Sequence, residues 1–411
     1  MKMIPEQCDV AIIGGGPSGA LAAAMLVRQG YDVVILERDS FPRFSIGESL
    51  LPQSMIFLQQ AGLLDAVESA GFQRKEGAAF RCDTKFDEFN FEEKFTEGFG
   101  YTYQVERAEF DKILVDQAEE YGAKVFYNIE VVAADFSEEP LLTYKDHNDE
   151  LHKINAKFVL DASGFGRVLP RLLELDRPSC FPVRQSIFSH FVDHIDAEGF
   201  DRNKILITVH HKYHDVWFWL IPFSNGRSSV GVVARPELLH EFGTTDSQIL
   251  LRLIEEDPNL SVILGSAELF FTPRKLTGYS CNVSTLHGKG FALLGNAGEF
   301  LDPVFSSGIT IALKSANLAS NCVDQQLRGE AVDWQAEYAE NLMQGVNTFR
   351  HFVEAWYDTR LQSIIFSPKK RKDVKAMISS ILAGYAWDTS NPYVAESKRR
   401  VDVLAKLCEQ Y

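Results

Sequence analysis

The sequence predicts an α/β fold in which a parallel sheet with its helices is interleaved with an antiparallel sheet and followed by a helical C-terminus. Three observations predict it. A strand, a glycine turn, a helix and a strand open the chain, β-rich runs occupy residues 183–233, and the pattern from about Trp334 onward is mostly helical. We expect three units. Residues 1–175 and 280–330 form one discontinuous domain, residues 176–279 form a β-sheet domain, and residues 331–411 form the helical region. Within the first domain, residues 72–105 contribute to the side of the β-sheet domain.

Length and composition narrow the classes of function. The chain has 411 residues, of which 45% are hydrophobic, as in an ordinary globular protein with a large core. Its 57 acidic and 41 basic residues give a formal net charge of -16, which repels nucleic-acid phosphates and anionic membrane surfaces. The six cysteines are scattered singly, and neither a secretory signal nor a membrane span is visible. We therefore expect a cytoplasmic protein with reduced thiols that binds no nucleic acid.

The first element is a glycine turn between a strand over 8–13 and a helix over 17–29. Gly14, Gly16 and Gly19 form the pattern GxGxxG, with Ser18 inside it. The first glycine permits the tight turn, the second lets the backbone approach a pyrophosphate, and the third packs the helix on the strand. The positive end of the helix then stabilises the phosphate charge, so the turn predicts a dinucleotide site in a Rossmann-type domain.

An acidic residue follows at the end of the second strand, which we expect over 32–36. Glu37 lies 21 residues after Gly16, close to the offset of the carboxylate that binds a ribose 2′-hydroxyl in such folds. A carboxylate there repels a 2′-phosphate. We expect Glu37 and the adjacent Arg38 to contact the adenosine end of the ligand.

Two further segments favour FAD over NAD. In the first, Gln104 and Arg107 precede a helix expected over 108–121; in the second, Gly295 and Asn296 follow a strand, and a second turn opens a helix over 309–322. Two turns that lead into two helix N-termini suit a ligand with a pyrophosphate at one end and an electron-rich isoalloxazine at the other. The sequence therefore predicts bound FAD, and it shows no second dinucleotide site for NAD(P)H.

Other patterns complete the local predictions. Residues 41–52 lack periodicity, which predicts a loop that lies over another part of the molecule. A helical pattern follows over 54–70. His210 and His211 are adjacent on or beside a strand, where neighbouring side chains point to opposite faces, so we expect no metal site there.

These segments resemble the family of FAD-dependent aromatic hydroxylases, geranylgeranyl reductases and halogenases, whose usual mid-chain motif is similar to DASG at Asp161–Gly164. The resemblance covers nearly the whole chain up to about Val323. Within this family, four features resemble the halogenase branch and its pyrrole and phenol enzymes in particular. They are FPRFSIGESLLP with Glu48 and Ser49, like the loop that covers the flavin; FQRKEGAAF, with Lys75 at the position of the catalytic lysine; WFWLIP, with Trp217 and Trp219; and FLDPVFSSG, with Pro303, Ser307 and Gly308.

The resemblance implies an FADH2- and O2-dependent halogenase whose reduced flavin comes from a separate flavin reductase. The backbone N-H groups of Ser307 and Gly308 would hold chloride or bromide, and Trp217 and Trp219 would separate the flavin from the substrate. Lys75 would then guide hypohalous acid, either by donating a hydrogen bond or by forming a chloramine. The implied substrate is an electron-rich aromatic of the pyrrole or phenol type, free or bound to an acyl carrier protein, in a substrate domain over 176–279.

Other interpretations of the same residues remain open. Two tryptophans at a spacing of two also fit a plain buried strand, and an isolated lysine is usually a solvated surface group. Asn296 stands where the family usually has Asp, and Glu299 replaces a residue that is more commonly neutral or basic. The alternative function is therefore a non-halogenating flavin monooxygenase or dehydrogenase of a secondary-metabolite or pigment pathway, and a third is a non-catalytic flavin-binding protein.

Overall fold

A parallel sheet forms the first half of the architecture. The computed structural model describes residues 3–179, 181–195, 200–368 and 371–409. At the centre of this eight-stranded sheet, β1 (Gln7–Ile13) pairs in parallel with β2 and β10, and its residues Val10, Ala11 and Ile12 are fully buried. In spatial order the strands are β19 (His287–Gly288), β20 (Phe291–Leu293), β10 (Leu151–Asp161), β1, β2 (Val33–Glu37) and β7 (Lys124–Tyr127), with β9 (Leu141–Lys145) beside β10 and β8 (Glu130–Asp135) beside β9.

The second large sheet is mostly antiparallel, and the predicted α/β fold class is thereby confirmed. Its edge receives a segment from early in the chain, since β4 pairs in parallel with β13 and β5 pairs with β4. In spatial order the strands are β16 (Glu268–Leu269), β12 (Gln185–Val192), β15 (Arg227–Ala234), β14 (Trp217–Pro222), β13 (Lys204–Val209), β4 (Gly77–Cys82) and β5 (Lys85–Asn90), with β17 (Arg274–Thr277) also beside β12. Two short ribbons pair β3 (Gln73–Lys75) with β6 (Thr102–Gln104), and β11 (Asp176–Arg177) with β18 (Asn282–Val283).

Helices cover the sheets and complete the C-terminal region. The predicted helix over 54–70 is two helices, because the chain turns at Gly62, whose φ of +75° is a left-handed conformation that ends the first one. The helices are α1 (Pro17–Arg28), α2 (Gln53–Ala61), α3 (Leu64–Ser69), α4 (Arg107–Glu120), α5 (Val168–Leu172), α6 (Pro236–Leu239), α7 (Asp246–Glu256), α8 (Leu260–Ile263), α9 (Ser307–Leu327), α10 (Asn341–Tyr357), α11 (Arg360–Ile365), α12 (Lys372–Leu382), α13 (Pro392–Ala395) and α14 (Ser397–Glu409). Within the described ranges, none of them is long and apolar enough to span a bilayer.

One continuous core joins the two sheets and the C-terminal helices. It contains Val10 of β1, Phe158 of β10, Trp217 of β14 and Trp356 of α10, each no more than 1% exposed. A second core lies between the other face of the antiparallel sheet and α7, whose Ile249 and other apolar side chains are buried there. The face of β14 that carries its tryptophans is therefore turned toward the parallel sheet.

Gly231 provides the space that one of these tryptophans occupies. It is opposite Trp219 in the β14–β15 pair, and a Cβ added to Gly231 would lie 2.3 Å from Cζ2 of Trp219 and 2.7 Å from Cβ of Phe188. We expect Gly231→Ala to displace the indole and to lower the free energy of unfolding by about 1–3 kcal/mol, the usual cost of overpacking. Chemical denaturation would measure this, and an unchanged midpoint would show that the ring can move without cost.

Candidate active site

The candidate site is a cavity of about 460 Å³ between the carboxyl edge of the parallel sheet and the tryptophan face of the second sheet. Ligands of open α/β sheets bind at this edge. Of the residues predicted from sequence, those that line the cavity are Gly14, Gly16, Ser18, Glu37, Arg38, Glu48, Ser49, Arg107, Trp217, Trp219, Asn296, Pro303 and Gly308. The others lie behind the wall, namely Gly19, Lys75, Gln104, Asp161, Gly295 and Ser307.

The three glycines of the turn have different surroundings. Gly14 has a φ of +98°, and a Cβ there would lie 2.7 Å from the carbonyl oxygen of Ala162. At Gly19 a Cβ would lie 2.0 Å from the carbonyl oxygen of Gly14. A Cβ on Gly16 would meet Nη2 of Arg43 at 3.6 Å, which is ordinary contact distance. The first and third glycines are therefore required by the packing of the turn, whereas the second leaves room on the cavity side for a phosphate.

Glu37 is buried beside this turn. Its Oε2 accepts a hydrogen bond from the backbone N-H of Gly15 at 2.7 Å, and its Oε1 accepts one from the N-H of Asp39 at 2.8 Å. Each carboxylate oxygen keeps lone-pair capacity for a further donor, as a ribose hydroxyl would require. The neighbouring Arg38 is exposed and lies 3.8 Å from a carboxylate oxygen of Asp39. The geometry of the turn and of Glu37 thus fits the adenosine half of FAD.

Three predicted residues hold the backbone behind the wall. The buried carboxyl of Asp161 accepts hydrogen bonds from the N-H groups of Ser163 and Leu169, at 2.9 and 2.7 Å, and its burial raises its pKa. Gln104 donates to the carbonyl of Arg202 at 3.1 Å. The amide N-H of Gly295 donates to Oγ of Ser315 at 2.9 Å. These contacts position the loops that reach the cavity.

Arg107 contacts the backbone of the loop over 41–52 and stabilises it. Its guanidinium forms two hydrogen bonds with the carboxylate of Asp111, at 2.7 and 2.9 Å, and donates to the carbonyl of Ile46 at 2.5 Å. A Cβ on the adjacent Gly47 would lie 3.1 Å from Nη1 of Arg107. Arg107 therefore fixes the path of the loop at the point where Glu48 and Ser49 enter the cavity wall.

The N-terminus of α9 faces the same cavity. Ser306 precedes it in the left-handed conformation, with a φ of +56°, and no side chain in the described chain forms a hydrogen bond that caps this end. Gly308 lines the cavity, and a Cβ there would be 3.3 Å from the ring of Phe300. Uncapped N-H groups at the positive end of a 21-residue helix can bind an anion. Ser307 begins the helix but does not itself line the cavity.

Trp217 and Trp219 form part of the opposite wall, with ring centroids 6.0 Å apart. The indole N-H of Trp219 donates to Oγ of Ser229 at 3.1 Å, and that of Trp217 donates to the hydroxyl of Tyr357 at 3.2 Å. Both side chains are at most 6% exposed. The hydrogen bonds hold both rings in defined orientations, as an aromatic barrier would require.

A buried carboxyl behind this wall was not found from the sequence. Asp302 accepts hydrogen bonds from the hydroxyls of Tyr357 and Tyr279, at 2.6 and 3.0 Å, and its burial raises its pKa to about 6. Tyr279 lines the cavity, and the guanidinium of Arg184 lies over the ring of Tyr357 at 4.2 Å. Tyr279, Asp302 and Tyr357 come from three distant segments, so no local pattern could have grouped them.

Lys75 is buried and lies one hydrogen bond away from the cavity wall. Its Nζ donates to Oγ of Ser49 and to the carbonyl of Leu50, both at 2.8 Å, and lies 5.6 Å from the ring centroid of Phe91. The side chain is 1% exposed, and this burial lowers the pKa of Lys75 from 10.5 to about 7. The interpretation of Lys75 as a solvated surface group is therefore wrong.

His190 is a second residue that the sequence patterns did not single out, because it lies within a buried strand. Its Nε2 is 2.6 Å from Oε1 of Glu48. Both side chains are at most 5% exposed, and Glu48 lines the cavity. This contact joins the loop over 41–52 to β12 of the second sheet.

The side chains of His210 and His211, before β14, do not point to opposite faces as the sequence pattern predicts. The rings of His210 and His211 stack with centroids 4.6 Å apart, because β13 ends at Val209 and the chain no longer alternates faces there. Among the described residues, Asp146, Glu150 and His152 present ligand atoms close enough for a metal ion, in the turn between β9 and β10 and at the start of β10, outside the cavity wall.

Comparisons with known proteins agree with a fold that binds FAD. The family model described as "FAD binding domain" matches residues 7–249. A flavin-dependent halogenase of Penicillium aethiopicum is 32% identical over 379 residues, which are 86% of this chain and 71% of that protein. A 1H-pyrrole-2-carbonyl-[peptidyl-carrier protein] chlorinase of Pseudomonas fluorescens is 28% identical, and the alignment covers 99% of this chain and 94% of that protein. The crystal structure of a flavoprotein/dehydrogenase from Cytophaga hutchinsonii superposes with a TM-score of 0.95 at 42% identity, over 98% of this chain and 99% of that one.

Proposed function

We propose, because the chain belongs to the flavin-dependent halogenase family, that this FAD-dependent enzyme uses reduced FAD, dioxygen and chloride or bromide to halogenate an electron-rich aromatic ring. The observation that carries the proposal is Lys75, a buried amine with a lowered pKa, one hydrogen bond from the wall of the FAD cavity. A surface lysine at this position would give no such support.

The residues of the cavity suit the cofactor and the halide. Glu37 and the turn with Gly16 would hold the adenosine and pyrophosphate, and the amides at the start of α9 would hold an anion near Gly308. When bound, reduced FAD supplies the two electrons that convert dioxygen and halide to hypohalous acid. Trp217 and Trp219 would keep the ring of the substrate away from the flavin.

Lys75 would receive the hypohalous acid. An uncharged amine has two N-H groups, which match the two acceptors that Ser49 and Leu50 provide, and its lone pair then stays available. Attack of this lone pair on the halogen forms an N-halogen bond and releases water, after which the aromatic ring takes the halogen and returns a proton to the nitrogen. A hydrogen bond from a protonated Lys75 to hypohalous acid is the other route. The lowered pKa of Lys75 favours the first route, because about half of the amine is uncharged near neutral pH.

The proposed substrate is a pyrrole or phenol acid, free or attached to an acyl carrier protein. The pyrrole chlorinase of Pseudomonas fluorescens, whose name specifies a carrier-bound substrate, aligns with almost the whole of this chain. A separate flavin reductase would supply the reduced cofactor, since the sequence shows one dinucleotide turn, at Gly14 to Gly19.

The test supplies FADH2, oxygen and either bromide or chloride, with free phenols, free pyrroles and a carrier-bound pyrrole acid as candidate substrates. We expect a halogenated product, recognised by its isotope pattern in mass spectrometry, from at least one of them. Hydroxylated or dehydrogenated products without any halogenated one would contradict the proposal.

A second candidate function is oxidation of the substrate without halide. It is favoured by the 42% identical flavoprotein/dehydrogenase structure and by Asn296 and Glu299, which depart from the residues usual in the flavoprotein family that the sequence resembles. Under this alternative, turnover is the same with and without chloride, whereas halogenation stops when halide is withheld.

A further inference from the structure

A line of titratable side chains leads from the FAD cavity to the surface. Glu48 lines the cavity, and its Oε1 is 2.6 Å from Nε2 of His190. On the other side of the imidazole, Nδ1 is 3.9 Å from Oε1 of Glu106. Glu106 is paired with Arg227 at 2.7 Å, and their side chains are 20% and 23% exposed, so solvent reaches this end.

The inner end of the line is left open toward the cavity. Oε2 of Glu48 is buried and has no hydrogen-bond partner among the described residues, although its other oxygen is bonded to His190. A buried carboxylate oxygen without a partner is costly, and natural proteins rarely leave one without a role. The cavity-lining position of Glu48 makes a group inside the cavity the natural partner.

The surroundings of His190 leave it few routes for a proton. Its ring is packed by Phe44, Phe223 and Phe271, with centroid distances of 5.8, 5.0 and 5.0 Å. The charged groups around this box are Glu48 and Glu106, Arg227 behind Glu106, and Arg274, whose guanidinium lies over the rings of Phe44 and Phe271. Both ring nitrogens of His190 thus face a carboxylate, one on the cavity side and one on the solvent side.

The geometry points to a proton relay in which Glu106, His190 and Glu48 connect solvent with the FAD cavity. A proton that arrives at Glu106 passes to Nδ1 of His190, and Nε2 then gives up a proton to Oε1 of Glu48. Rotation of the Glu48 carboxyl presents this proton to the cavity and returns an unprotonated oxygen to His190. The gap of 3.9 Å at Glu106 requires a bridging water or a rotation of the carboxyl, whereas the 2.6 Å contact is already a hydrogen bond.

The reaction of reduced flavin with oxygen needs a supply of protons. Without halide the balanced reaction is FADH⁻ + O₂ + H⁺ → FAD + H₂O₂, in which dioxygen takes two electrons and the solvent provides one proton. The relay depends on FAD binding and on no other part of the proposed function. A test without halide or aromatic substrate therefore separates failure of the relay from failure of halogenation.

The main test measures how fast the reduced enzyme is reoxidised, by following flavin absorbance after mixing with oxygenated buffer. In His190→Gln a side-chain N-H can still reach Glu48, but the amide cannot carry a proton. We expect the rate constant to fall by about 100-fold, within the range for a lost general acid, and to depend less on pH. In His190→Ala, added imidazole should restore the rate.

Two measurements do not depend on turnover. The affinity for FAD, measured by quenching of flavin fluorescence, should change by less than about twofold in His190→Gln if its hydrogen bond to Glu48 is kept. In the FAD-free protein, Glu106→Gln should change the chemical shifts of the His190 ring seen by NMR, because it replaces the carboxylate whose Oε1 lies 3.9 Å from Nδ1.

Glu106→Gln also provides a variant at the partly exposed end, where loss of folding is not expected. It should slow reoxidation, whereas the matched change Glu88→Gln, which removes a carboxylate paired with Lys204 at 3.1 Å, should not. Unchanged reoxidation and pH profiles in both His190→Gln and Glu106→Gln would overturn the relay. His190 would then only anchor the loop over 41–52 to β12.

Discussion

Replacement of Lys75 by methionine is expected to abolish halogenation while FAD remains bound and reduced FAD is still oxidised. Methionine is unbranched and keeps most of the volume of the buried side chain, although it is one atom shorter, and it has no amine to receive the halogen. The loss should be at least about 100-fold, the usual contribution of one group that acts directly on the reacting atoms. Product formation and flavin oxidation are measured in the same reaction, so the uncoupling of the two is the result to look for.

A partly buried lysine offers a control. Lys314 of α9 also has a lowered pKa because of burial, and its Nζ lies 5.9 Å from the ring centroid of Phe57 and 5.7 Å from that of Trp387. Lys314→Met should leave halogenation unchanged. If both variants lose it equally, the effect is one of folding, and Lys75 has no special part in the reaction.

The pH profile distinguishes the two routes for Lys75. Its pKa is lowered to about 7, so the uncharged amine is scarce below that pH and predominates above it. Halogenation through an N-halogen bond should therefore rise with pH through about 7 and then level off. A rate that falls above pH 7 would instead identify the protonated form as the active one.

The second large effect is expected from Gly16→Ala, which should give a folded protein that binds FAD much more weakly. Gly16 has a φ of -69°, which alanine adopts without strain, and the nearest atom to the new Cβ is Nη2 of Arg43 at 3.6 Å. Alanine at the N-cap lowers the free energy of unfolding by a few tenths of a kcal/mol to about 1 kcal/mol. The reduced flexibility of the unfolded chain raises it by about 0.4–1 kcal/mol, so the two effects nearly cancel. The melting temperature of the FAD-free protein should thus stay close to that of the wild type.

FAD affinity should nevertheless fall, because the methyl group occupies the approach of the pyrophosphate. Fluorescence titration measures this, and we expect a loss of about 100-fold or more, equivalent to about 2.7 kcal/mol. Gly19→Ala is the informative contrast, since its Cβ would lie 2.0 Å from the carbonyl oxygen of Gly14 and should destabilise the FAD-free protein as well. Normal FAD binding by Gly16→Ala would show that the phosphates do not pass this glycine.

The parts of the fold that the sequence predicted are those with local signals. The turn of Gly14, Gly16 and Gly19 has its own spacing, and β1, α1 and β2 lie within one or two residues of their expected positions. The β-rich runs over 183–233 contain β12, β13, β14 and β15. Periodicity reports which face of an element is buried, so it is reliable where an element packs on a single neighbour.

The parts that escaped prediction depend on contacts between distant segments. His190 reads as one more side chain of a buried strand, and its significance comes from Glu48, 142 residues away along the chain. Asp302 owes its raised pKa to burial in the folded chain, and Tyr279 and Tyr357, whose hydroxyls donate to it, come from distant segments. The break at Gly62 was missed because the helical pattern continues across it, although glycine in a left-handed conformation is a common helix end.

The parallel pairing of β4 with β13 has a consequence for dissecting the chain. A fragment that starts near residue 176 would lack β4 and β5, and β13 would become an edge strand with unpaired N-H and C=O groups along Ile205, Leu206 and Ile207. Such an edge promotes pairing between molecules and aggregation. The second sheet is therefore not a module that can be cut out at a linker. A graft or chimera that exchanges it must take the β4–β5 hairpin from the same parent, and Lys75 lies two residues before that hairpin.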